Sequence, residues 1–177
     1  MKRVYAMKRI FIGLLCLSMG LVSCKKSDDD FVYVAQPDPP EVLTMRAEMK
    51  VFQARPELQV DDIQIQHLLI SFKGSSIPGM SRSLDEAEQL TAQLWGQIKV
   101  GEDFDALVKK HTNDQYPGLY NMTQRGAGDT ANNIYRRSDM VASFGEVGFR
   151  LEVGEVGVAL YHPEKSPFGY HIVKRLK

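Results

Sequence analysis

The sequence predicts a small α+β domain, and three observations lead there. The segment "DIQIQHLLISFK" alternates in polarity and is rich in Ile and Leu, which marks a strand. The middle of the chain carries amphipathic segments with helix-capping residues. Two further strand-like runs, "VALYH" and "FGYHIVKRL", close the chain. The expected order is β-α-α-α-β-β, a mostly antiparallel sheet packed by helices.

A length of 177 residues favours one domain with additions. The opening stretch "MKRVYAMKRIFIGLLCLSMGLVSC" has basic residues at Lys2, Arg3, Lys8 and Arg9, then an apolar run from Ile10 to Val22. This is the layout of a secretory signal, too short and wrongly flanked for a stable transmembrane span. Leu21, Val22, Ser23 and Cys24 resemble the lipobox of bacterial lipoproteins, which places cleavage before Cys24 and a lipid on its thiol. The alternative is an ordinary signal peptide with an incidental cysteine. Cys24 falls where a lipobox requires it, after a run of suitable length, and that favours the lipoprotein. The expected organisation is a signal peptide over 1–23, a lipidated N-terminus and tether over 24–61, and a folded domain over 62–177.

Composition excludes several function classes. Cys16 leaves with the signal and Cys24 carries lipid, so no thiol remains in the folded part. That removes a disulfide framework, a cysteine nucleophile and a Cys-ligated metal. The 22 basic and 22 acidic side chains balance, but residues 1–23 take four basic ones and no acidic ones. The mature chain is therefore at 18 − 22 = −4, which argues against nucleic acid as a partner.

Residues 25–40, "KKSDDDFVYVAQPDPP", read as a tether. The run "KKSDDD" also resembles acidic signals that send some lipoproteins to the cell surface, and a solvated spacer is the other reading. A short helix of no assigned role fits between Pro40 and Pro56. In the first strand Ile63, Ile65, His67 and Leu69 share one face, and "KGSSIPGMSR" follows as a loop. Ser83 with Glu86 makes a capping box opening a helix whose stripe is Ala87, Leu90, Leu94 and Ile98, ended by Gly101. "EDFDALVKKH" is a second helix with Phe104, Leu107, Val108 and His111 on one side, His111 at its end. "NDQYPGLYNMTQRGAGDTANN" shows no sustained period and is expected as a long irregular loop, the kind that is usually functional or mobile. Ser138 can cap a third helix, "DMVASFGEVGFRLE", with Met140, Phe144, Val147 and Leu151 along one face. His162 is expected in a turn.

Four stretches taken together, "IQHLLISF", "LDEAEQLTAQLWGQIKVGEDFDALVKKHTND", "RRSDMVASFGEVGFRLEVGEVG" and "SPFGYHIVKRL", resemble the parvulin-type peptidyl-prolyl cis–trans isomerases. The similarity covers essentially all of 62–177 in order. It implies that His67 and His171 lie side by side on neighbouring central strands beneath an active site. It matches Asp114 to a position held by Cys or Asp, Met140 and Phe144 to the walls of a proline-ring pocket, and Tyr135 to an aromatic beside it. Ser166 falls where Thr or Ser usually stands. Phe168, two residues on, stands where some relatives carry a small hydroxyl residue. The implied partners are proline-containing polypeptides and, through the lipid anchor, a membrane of the cell envelope, most simply the outer one; no cofactor or metal is implied.

The chemistry of that reaction suits these residue types. An Xaa–Pro amide turns over a barrier of about 18–20 kcal/mol set by C–N double-bond character. No bond breaks, so neither nucleophile nor metal is required. An apolar seat positions the ring and excludes water, and Met140 and Phe144 supply one adaptable and one flat wall. Polar groups must then favour the twisted amide over the planar one, because only differential binding accelerates. A His67–His171–Asp114 network can orient such groups. Each residue also has a plainer role: a satisfied core histidine pair, apolar core at Met140 and Phe144, a helix terminator at Asp114.

Departures from the family pattern bear on the site. Val141 replaces a frequent polar residue. The stretch between Asp114 and Tyr135 is about nine residues longer than in minimal parvulins, by the same resemblance, and leaves a third apolar wall unassigned. Lys73 and Arg82 flank the substrate loop without forming a basic cluster. Two other function classes stay open at this point: a chaperone-like binding module with this fold and little turnover, and a structural partner in a surface or secretion assembly.

Overall fold

The computed structural model describes residues 37–177; the signal-like stretch, Cys24 and the acidic run lie outside the described residues. In chain order the elements are helix α1 (Pro40–Gln53), strand β1 (Asp62–Ile70), helices α2 (Leu84–Lys99) and α3 (Phe104–His111), and strands β2 (Leu119–Thr123) and β3 (Ile134–Arg136). Helix α4 (Ala142–Arg150) and strands β4 (Val156–Ala159) and β5 (Tyr170–Arg175) complete the fold. Short 3-10 turns occupy Thr130–Asn132 and Arg137–Asp139. The strand order is β3-β2-β1-β5-β4, antiparallel except between β2 and β3.

The α+β class and the antiparallel bias agree with the sequence, but the element order is richer. The segment expected as one irregular loop contains β2 and a 3-10 turn, and β3 follows directly after it. The compact unit is Pro37–Lys177 rather than 62–177, because α1 belongs to the core. Pro40 opens α1 at the first helical position, where a missing N–H is tolerated. Val42, Met45, Met49 and Phe52 are buried along one face, against α2, α4 and β4. Burial of side chains of this size contributes about 1.5–3 kcal/mol each. Arg46 in α1 grips Glu88 in α2 through two bonds of 2.7 and 2.5 Å, and Trp95 Nε1 donates to Glu48 at 2.7 Å.

Helix α2 begins with the expected reciprocal capping box of Ser83 and Glu86. Asp103 caps α3 by accepting from Ala106 N–H at 2.7 Å. Helix α4 differs from expectation. It starts at Ala142, its N-cap is Val141, and Ser138 instead sits in a 3-10 turn with its hydroxyl on Asp139. Arg137 explains the late start: its guanidinium clasps Glu57 and lies 5.0 Å over the Phe149 ring, fixing a turn where a helix would otherwise begin.

Strand β1 is the centre of the sheet and is buried on both faces from Ile65 onward. On its even face Gln66 Nε2 donates to Asp105 of α3 at 2.6 Å. On its odd face Ile63 and Ile65 meet α4 at Gly148, where an added Cβ would press on Met122 Cε at 2.9 Å and Ile63 Cδ1 at 3.0 Å. Helix α4 therefore lies close over the face that carries His67.

Candidate functional site

His67 and His171 sit on adjacent antiparallel strands, and the register opposes His171 to Leu69. Residues opposed across such a pair share a face, so His67 and His171 are diagonal neighbours on the α4 side. Their rings are joined by a 2.8 Å contact between His171 Nδ1 and His67 Nε2. Both are about 3% exposed. The family resemblance anticipated this pairing, and the strand periodicity alone did not.

Asp114 reaches the pair from the chain after α3. That connection is bonded to the end of β1: Asn113 N–H donates to Leu69 O at 2.8 Å, and Ser71 N–H to Asn113 Oδ1 at 2.9 Å. Thr112 Oγ1 accepts from both Leu69 and Asp114 N–H. Beyond it, Gly118 must lack a side chain, since a Cβ there would meet His67 O at 2.4 Å. The Asp114 carboxylate then faces His67 Nδ1 at 3.4 Å, long for a hydrogen bond, and accepts from the Tyr120 hydroxyl at 2.6 Å.

The electrostatics follow from burial and this chain of contacts. Burial pushes His67 below the ordinary imidazole value, against the pull of Asp114. Burial, with His67 as a neighbour, pushes His171 well below it. His67 holds the Asp114 carboxyl far below the usual carboxylate range, helped by Tyr120 and the Gln115 N–H and opposed by partial burial. At neutral pH the site thus holds two neutral imidazoles and one carboxylate. A carboxylate only accepts, so the proton facing it belongs on His67 Nδ1, and His67 Nε2 accepts from His171 Nδ1–H. Among the described residues, His67 Nδ1 and His171 Nε2 are buried with no hydrogen-bond partner, the former facing Asp114 at the longer 3.4 Å.

These groups border a cavity of about 240 Å³. Its apolar walls come from every layer: Leu69 on β1, Ile77 in the loop after β1, Met140 and Val141 ahead of α4, Phe144 inside α4, and Phe168 before β5. Phe144 packs edge-on to His67 at 4.9 Å and to Tyr120 at 5.6 Å. Ser76 N–H donates to Pro167 O at 3.1 Å, which ties the loop carrying Ile77 to the turn carrying Phe168. Among the described residues, no group of three or more His, Cys, Asp or Glu could hold a metal ion, and no helix is long and apolar enough to cross a membrane.

Six of the expected residues meet here: His67, Asp114 and His171 with Met140, Phe144 and Phe168. Met140 is extended backbone just before α4, not a turn of helix below Phe144. Tyr135 does not line this cavity; its ring lies tilted against Tyr120 at 5.5 Å and borders the next one. Ser166 is fully buried, and its hydroxyl donates to Gly169 O at 2.8 Å, closing the turn that presents Phe168. His162 is a turn residue whose Nδ1 accepts from Glu164 and Lys165 N–H. Tyr120 and Ile77 were missed. The alternation of Tyr120 and Met122 after Gly118 was the available signal for Tyr120, and nothing local singled out Ile77.

Comparison with known proteins bears on the family and the fold. Residues 49–177 match the PPIC-type PPIASE domain. The chain is 31% identical over 116 residues to chaperone SurA of Pseudomonas fluorescens, covering 66% of this chain and 23% of that protein. It is 33% identical over 95 residues to foldase protein PrsA 4 of Bacillus cereus, covering 54% of this chain and 30% of that one. It is 29% identical over 119 residues to foldase protein PrsA of Caldanaerobacter subterraneus, covering 67% and 35%. The chain thus spans between 23% and 35% of the length of these relatives. The fold is similar to that of peptidyl-prolyl isomerase ESS1 from Candida albicans, with a TM-score of 0.52 and 22% identity over 76% of this chain and 74% of that one.

Proposed function

The chain belongs to the family of PPIC-type peptidyl-prolyl isomerase domains, and from that premise we propose that it isomerises Xaa–Pro bonds in exported polypeptides. The observation that carries this is the adjacency of an apolar cavity, walled by Met140, Phe144 and Phe168, to the His67–His171–Asp114 chain. The proline ring sits against Phe144 and Met140, where water that would stabilise the planar, charge-separated amide is excluded. The ionised Asp114, with Tyr120 and the neutral histidines, fixes the polar edge of the cavity so that the twisted amide is favoured. Every ~1.4 kcal/mol of that preference is tenfold in rate. Ser166 and Tyr135 act at one remove, by shaping the Phe168 turn and by backing Tyr120.

The test is cis-to-trans relaxation of a proline tetrapeptide, by protease coupling or NMR exchange, with the full chain. Acceleration above the uncatalysed rate supports the proposal; an unchanged rate from folded protein refutes it. A second reading is a chaperone-like module with little turnover, favoured by the names of the matched relatives, a chaperone and two foldases. It predicts suppression of client aggregation with no change in the isomerisation rate.

For location, the basic and apolar start of the chain followed by Leu21, Val22, Ser23 and Cys24 supports a lipoprotein of the cell envelope. Signal residues 1–23 are removed, Cys24 carries lipid, and a tether leads to the folded unit. The outer membrane is the proposed site of anchoring, and "KKSDDD" supports display at the cell surface.

A further inference from the structure

A second cavity, of about 340 Å³, opens on the other side of Tyr120. Its main walls are Tyr116, Pro117, Leu119, Tyr120, Asn133 and Tyr135. Tyr120 lines both cavities, so the two are neighbours on either side of one tyrosine. Nearly all of this second space is built by the segment that exceeds the length of minimal parvulins. We propose that it is a subsite for an aromatic side chain of the same polypeptide, about three residues from the isomerised proline. This rests on the isomerase reading.

Three observations support an aromatic guest. Tyr116 is 50% exposed and Leu119 37%, so the free protein leaves apolar surface open beside this cavity. The walls include three tyrosine rings, and an aromatic guest in edge or offset contact with them gains beyond its burial alone. Lys109 Nζ lies 5.9 Å from the Tyr116 ring centroid, which disfavours a cationic guest; the nearby Asp105 carboxylate is already bonded to Gln66 and to the Tyr116 hydroxyl.

The shape is preformed. Gly118 has φ +68 and no room for a Cβ, and Asn133 is left-handed at φ 58 with its amide donating to Leu119 O at 2.8 Å. The spacing fits one chain. Ring centroids step 5.6 Å from Phe144 to Tyr120 and 5.5 Å from Tyr120 to Tyr135. The two steps reach at most about 11 Å, or about three residues of extended backbone.

The test compares two proline peptides of equal length with the full chain, one carrying Phe and one Ala three residues from proline, placed on either side in turn. The Phe peptide should show a kcat/KM roughly three- to tenfold higher on one side, arising in KM. Tyr116→Ser and Leu119→Ser should each reduce that ratio to below about twofold. Equal turnover of the Phe and Ala peptides on both sides overturns the subsite while leaving the isomerase reading intact, as does a preference that survives both substitutions. If neither peptide is turned over, the isomerase reading falls. Fluorescence anisotropy of the same peptides then decides the subsite, and equal Kd values for Phe and Ala overturn it.

Discussion

The Tyr120 hydroxyl donates to Asp114 Oδ2 at 2.6 Å while its ring stands edge-on to Phe144 at 5.6 Å. One side chain therefore joins the polar edge of the cavity to its apolar wall. Tyr120→Phe separates the two parts, because it keeps the ring and removes the donor. A hydrogen bond to a charged group contributes about 1.5–3 kcal/mol, and water at the partly exposed carboxylate replaces some of it, so a loss of about 1 kcal/mol is expected. The Asp114 carboxyl should move back toward its ordinary range, and kcat/KM should fall. Unchanged thermal unfolding and unchanged turnover would show that the bond has no part in the site.

Stability should fall in two steps on acidification. Both imidazoles titrate below 6.5 in the fold and close to it when unfolded, so between those values the unfolded chain binds more protons. Their contribution is complete above about pH 6.5 and declines as pH drops toward the folded values, by up to ~1.4 kcal/mol per pH unit for each ring. The Asp114 carboxyl is also depressed, and its contribution is lost only below about pH 4. Replacing both histidines, as His67→Leu with His171→Leu, should flatten the first step and shrink the second, because His67 is the largest cause of the Asp114 depression and only Tyr120 and the Gln115 N–H remain to sustain it. Chemical denaturation from about pH 7 down to about pH 3 measures it, and an equal slope in the double variant near pH 6 counts against the assignment.

Substrate choice should not require phosphate. Arg82 Nη1 already donates to Ser71 O at 3.0 Å and to Asn113 Oδ1 at 2.7 Å, holding the loop to β1 and the Asp114 connection. Phosphate recognition needs convergent charge-assisted donors, and Lys73 alone does not supply them. Peptides with an uncharged residue before proline should be turned over at least as well as phosphoserine or phosphothreonine versions. A clear preference for the phosphorylated peptide in a direct kcat/KM comparison would reverse this.

Anchoring should depend on one sulfur atom. Cys24→Ala should give an unprocessed or soluble precursor, since a single thiol carries the proposed lipid. Detergent partitioning and intact mass decide it: undiminished membrane retention of the variant ends the lipoprotein proposal. Surface display is tested separately, with protease added to intact cells; a protein that resists until the cells are lysed does not face outward.

The parts legible in the sequence were those set by local rules. The capping box at Ser83 and Glu86, the alternation around His67 and the apolar stripe of α3 each need only a few neighbouring residues. Strands β2 and β3 are short, at 5 and 3 residues, and they form by pairing with β1 and with each other. Nothing within "GLYNMTQRGAGD" records that partner. Helix α1 shows the same limit: its periodic residues are visible, but the surface of α2, α4 and β4 that they cover is not. For the site, the family likeness pointed to the histidines and Phe144, whereas Tyr120 lies in the lengthened stretch between Asp114 and Tyr135, where no motif marked a wall residue.

Pocket and scaffold can be separated at Met140 and Phe144. Phe144 is 2% exposed and packs against His67, His171 and Tyr120. Phe144→Ala should therefore cost about 3–5 kcal/mol, and lost activity in that variant alone would be ambiguous. Phe144→Leu keeps most of the volume and removes the flat face, so it should fold and still lose turnover. Met140 lies outside α4, is only partly buried, and packs against the edge of the core while lining the cavity. Met140→Ala should raise KM and lower kcat/KM about tenfold or more, with a much smaller change in melting temperature, because a ~1.4 kcal/mol loss of contact with the proline ring is already tenfold. Asp114→Ala should lose rate with the fold intact, since its side chain is 27% exposed at the rim. Turnover and thermal unfolding measured together on the four variants resolve the question. Full activity in folded Met140→Ala and Phe144→Leu proteins would mean that the proline ring is not held in this cavity.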